Sequence, residues 1–167
     1  MTPEIQVEDR LGRAIALREQ GRDTDARGLL LELHAEAPDD ARVNLQCAWI
    51  HDKLGMESEA VPYYEKAITA GLSAPDLNSA LLGLGSTYRA LGRYDEALKT
   101  LRRAAMEFPD DSGIQVFLAM TLYNTGDTKA AVEKLLSLLV ETTSDPSISR
   151  YRPALAEYAA DLDRTWP

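Results

Sequence analysis

Four glycines, Gly21, Gly55, Gly92 and Gly126, stand 34, 37 and 34 residues apart, and the same intervals organise several other columns of the chain. One column is Ala26, Ala60, Ala97 and Ala131. Two more run Leu30, Tyr64, Leu101, Leu135 and Leu33, Ala67, Ala104, Leu138. Upstream, a small-residue column (Ala14, Ala48, Gly85, Ala119) lies beside a larger one (Leu17, His51, Tyr88, Leu122). Many columns sharing one set of gaps mark a supersecondary unit repeated along the chain, and this limits the fold to stacked copies of that unit.

Each column has a physical reading. Glycine just past a helix end adopts the left-handed conformation that closes it, which a β-carbon disfavours. Small residues let the two helices of a repeat approach closely, and larger apolar residues fill the space between successive repeats. Pro38 and Pro109 stop the second helices of their repeats, because proline cannot continue the hydrogen-bond ladder. A lone hairpin leaves an apolar face wet, so stacking supplies the stability. The pattern predicts one all-α domain over 1–167, with helix-turn-helix repeats at about 7–40, 41–74, 78–111 and 112–145. The three extra residues fall in 71–78, where Gly71, Pro75 and Asp76 read as a glycine stop, a proline and a helix cap. The insertion is therefore expected to lengthen a connection.

After repeat 4, Asp145-Pro146 opens a further helix, expected over about 146–164. Ile148, Tyr151, Leu155, Tyr158, Leu162 and Trp166 recur at steps of three and four, defining one apolar face. Such a helix caps the open end of repeat 4; the alternative is a dimerisation helix. Pro153 is expected to kink or divide it.

Composition narrows the function classes. Hydrophobic residues at 45% and charged residues at 27% give a globular chain that needs no disulfide staples. Acids outnumber bases 27 to 18, for a net charge of −9, which disfavours nucleic acid and anionic membrane surfaces as partners. The single cysteine, Cys47, rules out an intrachain disulfide and points to a reducing compartment. MTPEIQVEDR has neither the basic start nor the apolar run of a signal peptide. The apolar stretch near 135–140 is far shorter than the roughly 20 residues a spanning helix needs. The expected address is the cytoplasm.

The third repeat, from Leu81 to Leu98, carries leucine, glycine, tyrosine, glycine, tyrosine and alanine in order and closes at Pro109. It resembles the tetratricopeptide repeat consensus. The other repeats are more degenerate: Arg13 and Cys47 stand where the third has Leu84, and the fourth lacks the closing proline. The run from His51-Asp52-Lys53-Leu54-Gly55 through Phe117 to Asn124 is similar to small bacterial proteins of the fifth tetratricopeptide group. This resemblance implies a right-handed superhelical solenoid of four repeats plus a capping helix, and a protein-interaction role that includes homodimers. It brings no catalytic residues with it.

In such arrays the first helix of each repeat lines a concave surface. Projected onto it, one row is Leu11, Leu45, Leu82 and Val116, and the next is Ile15, Trp49, Ser86 and Met120. A third row is Arg18, Asp52, Arg89 and Tyr123, with Phe117 bordering the last. An apolar floor with Trp, Met and Tyr suits a bound peptide or helix, since these side chains supply area and adaptability. The same residues serve equally well as packing between repeats. The Lys and Asn clamp with which related co-chaperones hold a carboxylate terminus is absent from these rows.

Chemistry has little to work with. Cys47 and His51 lie four apart on one helix, a spacing compatible with a thiolate pair or half a metal site, but both fall in packing columns. His34 reads as a partly exposed helix residue, Gly83-x-Gly85 as helical repeat material, and Asp39-Asp40 and Asp110-Asp111 as helix caps. No catalytic residue, metal site or cofactor is expected. The leading reading is a non-catalytic module that binds a protein or peptide; the alternative is a self-assembling homodimeric scaffold.

Overall fold

The structure, a computed structural model, describes residues 3–166, with side chains from residue 6 onward. Among the described residues every regular element is helical. The helices are α1 (Pro3–Glu19), α2 (Asp23–Glu36), α3 (Ala41–Lys53), α4 (Glu57–Ala70), α5 (Ala74–Ala90), α6 (Tyr94–Glu107), α7 (Ser112–Asn124), α8 (Thr128–Thr142), α9 (Pro146–Ser149) and α10 (Arg152–Ala160). None of them is long and apolar enough to cross a membrane. The chain divides into two compact units, Met1–Gly92 with α1–α5 and Arg93–Pro167 with α6–α10. The division falls at the glycine that ends the first helix of the third repeat.

The bends are built as the glycine columns require. Gly21, Gly55, Gly92 and Gly126 have φ of 75°, 71°, 72° and 90°. At the second bend the amide of Met56 donates to the His51 carbonyl at 2.9 Å and that of Gly55 to Asp52 at 3.0 Å. This double closure satisfies carbonyls left over at the end of α3. Helix starts use the acid pairs: Asp40 accepts from the amides of Arg42 and Val43, and Asp111 from that of Ile114. An aspartate there also complements the positive end of the helix dipole.

Two expectations are corrected. The insertion lengthens a helix rather than a loop, because α5 starts at Ala74 and runs 17 residues. Its cap is Ser73, whose hydroxyl accepts the Asp76 amide at 3.4 Å and donates to the Asp76 carboxylate at 2.8 Å. Pro75 sits in the first turn, where its missing N–H costs nothing. The final helix is divided, as expected, into α9 and α10 with Pro153 in the first turn of α10, but it ends at Ala160 rather than near 164.

In the first unit the core is made from the repeat columns: Leu11, Ala14, Leu17, Ala26, Leu30, Leu33, Val43, Cys47 and Ile50 form one buried cluster. Each fully buried Leu, Ile or Val contributes roughly 1.5–3 kcal/mol of transfer free energy. In the second unit Leu101, Ala104, Ile114, Leu118, Ala119 and Leu122 are buried among α6, α7 and α8. One column breaks at its last member. Leu30, Tyr64 and Leu101 are at most 1% exposed, whereas Leu135 is 42% exposed.

Candidate functional site

The first-helix residues divide into three groups by what surrounds them. Leu11 and Leu45, expected on the groove floor, are buried at 2% exposure each, and Leu11 belongs to the core cluster. Both leave the candidate surface, because the first row points into the hairpin packing of repeats 1 and 2. Ile15 is partly buried and packs against the same core.

A second group is polar and already engaged. The Asp52 carboxylate accepts from the Tyr64 hydroxyl at 2.6 Å and from the Thr87 hydroxyl at 2.8 Å, tying α3 to α4 and α5. Burial raises its pKa, against the opposing effect of those two hydrogen bonds. Tyr64 is itself buried, and its ring lies against α5 where Gly83 has no side chain. A β-carbon at Gly83 would stand 2.5 Å from the Tyr64 oxygen and 2.6 Å from Cζ. Asp52 is therefore a structural pin between three helices. Ser86 is also turned inward, its hydroxyl donating to the Gly83 carbonyl at 2.8 Å.

The third group retains accessible surface. The Arg18 guanidinium lies 4.9 Å from the centre of the Trp49 ring, a cation–π contact between α1 and α3 worth roughly 0.5–1 kcal/mol. Trp49, Leu82 and Arg89 are half-buried. On α7, Val116 and Tyr123 are exposed, and Phe117 and Met120 half-buried. Each unit carries its own share of the rows.

Cys47 and His51 sit inside the first unit. The His51 Nε2 lies 3.1 Å from the Arg27 Nε–H, which donates to it, and its Nδ1–H donates to the Cys47 carbonyl at 2.7 Å. This fixes the neutral Nδ1–H tautomer. Tyr63 stacks on His51 with centroids 5.0 Å apart and receives the edge of His34 at 5.1 Å. Burial holds the His34 pKa below its ordinary value, with Lys66 adding to the effect. Cys47 bonds the Leu30 carbonyl at 3.5 Å, and burial pushes its thiol up to about 12. A thiol so strongly protonated is a poor nucleophile and a poor metal ligand. Sequence reasoning missed Arg27 and Tyr63 as its neighbours; the only signal was their spacing from Cys47 and His51 by about one repeat or less. Among the described residues no group of three or more His, Cys, Asp or Glu side chains is placed to hold a metal ion.

Helical hairpins closed by positive-φ glycines, with helices that alternate core and surface faces, define a helical repeat protein. The family profile described as Tetratrico peptide repeat, in its fifth grouping, matches residues 41–162. The chain belongs to the tetratricopeptide repeat family. Superkiller protein 3 of Schizosaccharomyces pombe is 35% identical over 95 residues; this is 54% of the present chain but only 7% of that protein. Among solved structures, YrrB, described as a TPR protein with an unusual peptide-binding site, superposes with a TM-score of 0.72 at 20% identity, covering 93% of this chain and 77% of YrrB. The MamA protein superposes with a TM-score of 0.70 at 15% identity, covering 96% and 79%. At these identities the likeness shows the fold.

Proposed function

We propose that this chain is a non-catalytic interaction module that captures a protein or peptide on the exposed faces of its first helices. The observation that carries this reading is the α7 surface, where Val116 and Tyr123 are exposed beside half-buried Phe117 and Met120. Aromatic and Met side chains on an accessible helix face are the material of interface hot spots. Trp49, steadied by Arg18, offers a second anchor on the first unit. Half-buried Leu82 and Arg89 extend the proposed surface on that unit, while Ile15 and Ser86, turned towards the packing, leave it. That YrrB, with the same fold, is described as having a peptide-binding site supports the class of ligand. The packing roles of Cys47 and His51 support a non-catalytic, cofactor-free reading. The net charge of −9 supports a partner that is neither nucleic acid nor an anionic membrane, and the lone buried thiol fits a cytoplasmic address.

The test is direct binding. Peptides selected from a random displayed library on the full chain are titrated by fluorescence polarisation against wild type and the Met120→Ala/Tyr123→Ala and Trp49→Ala variants. The α7 variant is expected to weaken binding about tenfold or more, the scale of a lost hot spot. Equal affinity for wild type and both variants would remove this surface as the binding site.

A further inference from the structure

The second helix of each repeat presents three columns to whatever follows it. They are Arg27, Val61, Leu98, Val132; Leu30, Tyr64, Leu101, Leu135; and His34, Ile68, Ala105, Leu139. In the first unit these columns receive the next hairpin: Arg27 meets His51, Leu30 meets Cys47, and His34 meets Tyr63. On α8 the same columns are open. Val132, Leu135 and Leu139 are 41%, 42% and 37% exposed.

The expected cap does not cover them, because α10 lies along another flank. Lys129 pairs with Asp161 at 2.5 Å, the Leu162 amide donates to Glu133 at 2.9 Å, and a hollow is lined jointly by Ser137, Val140, Ala156 and Ala159. At about 100° per residue, that flank is roughly a third of a turn from the Val132–Leu135–Leu139 stripe. On α8 the stripe is flanked by Thr128, Leu136 and Thr142, so an arc of about 120° bears no charged side chain of that helix; Arg152 stands at its C-terminal end, donating to the Thr143 carbonyl at 3.2 Å. In a chain of net charge −9, it is a surface on which two identical molecules can meet without like charges opposed.

The α1–α2 hairpin of a second copy does not supply the complement. Arg13, Leu17 and Leu29 stand one repeat before Cys47, His51 and Tyr63, and they border an open hollow of about 440 Å³ together with Arg22, Asp25 and Glu32. Head-to-tail stacking would press Arg13 onto Val and Leu side chains, burying a charge without a partner. A charged face on the α1–α2 hairpin and an apolar stripe on α8 leave the isologous arrangement, in which the patch pairs with itself and assembly closes.

We propose that the open face of α8 seats a second copy of the chain, through Val132, Leu135 and Leu139 of both protomers about a two-fold axis. The surface is distinct from the α7 face and does not rest on the peptide-binding reading. The stripe and its flanks offer about a few hundred Å² per copy, the size class of weak, transient interfaces.

The experiment is sedimentation equilibrium of the full chain from about 10 µM to 1 mM, with circular dichroism on every variant. Wild type is expected to move from monomer towards dimer mass across this range. Leu135→Glu, at an exposed position, should keep its helical signal and stay monomeric. Val132→Lys should do the same, and serves if Leu135→Glu loses its helicity. A mixture of Leu135→Glu with Leu135→Lys should recover the dimer mass that each lacks alone. A wild-type chain monomeric at 1 mM, charged variants that associate as wild type does, or a mixture no heavier than its components would overturn the proposal. So would association abolished by Met120→Ala/Tyr123→Ala but not by Leu135→Glu. Loss of peptide binding by that α7 variant with the dimer intact would leave the two surfaces independent, as proposed.

Discussion

Replacing Gly83 by alanine puts two opposing effects into one atom. In a helix interior alanine is favoured over glycine by about 1 kcal/mol, and Gly83 is in the middle of α5. The added β-carbon, however, would lie 2.5, 2.6 and 2.8 Å from Oη, Cζ and Cε1 of Tyr64. Those are atoms of a rigid ring, buried at 1% exposure and anchored to Asp52 at 2.6 Å, so the ring cannot swing away freely. Overpacking of this kind costs about 1–3 kcal/mol, and displacing the hydroxyl from a carboxylate adds to it. The clash therefore outweighs the propensity gain, and Gly83→Ala should destabilise by about 1–3 kcal/mol, or about 2–12 °C in Tm for a chain of this size. Two internal controls isolate the cause. Gly12 and Gly28 are also helical, but nothing lies within 4 Å of a β-carbon at either, so alanine there should stabilise by up to about 1 kcal/mol. In a Tyr64→Leu background, itself destabilised by the loss of buried volume, Gly83→Ala should change sign and become stabilising. The assay is urea denaturation followed by circular dichroism, with an unchanged m-value as the condition for comparing midpoints. If Gly83→Ala stabilises the wild-type chain as Gly28→Ala does, the steric account of this glycine is wrong.

Two further predictions concern groups that the first unit buries. The Cys47 thiol, pushed up to about 12 by burial, should react with a disulfide reagent at pH 8 about a thousandfold more slowly in the folded chain than in denaturant; a rate within tenfold would contradict its packing role. Burial raises the Asp52 pKa above 3.8, so the native state binds more protons than the unfolded state in the window just above that value. Its contribution to stability is full below 3.8 and falls as pH rises through the window. The Tm of wild type minus that of Asp52→Asn should therefore decrease from about pH 3 to pH 6; a difference that grows with pH would show that its hydrogen bonds, rather than its desolvation, dominate.

What the sequence determined by itself is the periodic framework. Glycine at 21, 55, 92 and 126 fixes the bends, because the φ of 71–90° found there disfavours any residue with a β-carbon. Proline and aspartate at their spacings fix where helices end and begin, and the column intervals fix how many hairpins there are. These are local effects, settled within a few residues of the chain. What tertiary structure decided is which members of each apolar face are covered. Leu11 and Leu45 recur in the same row as Val116, yet the first two are buried and the third is exposed. Leu30 and Leu135 share a column, yet only the first has a neighbouring hairpin upon it. Asp52 falls in a groove row of the repeat, yet Tyr64 and Thr87, 12 and 35 residues away, hold it. Periodicity makes a helix face apolar; whether that face is core or docking surface depends on what packs against it, and that partner lies at least a loop and a helix away in the chain.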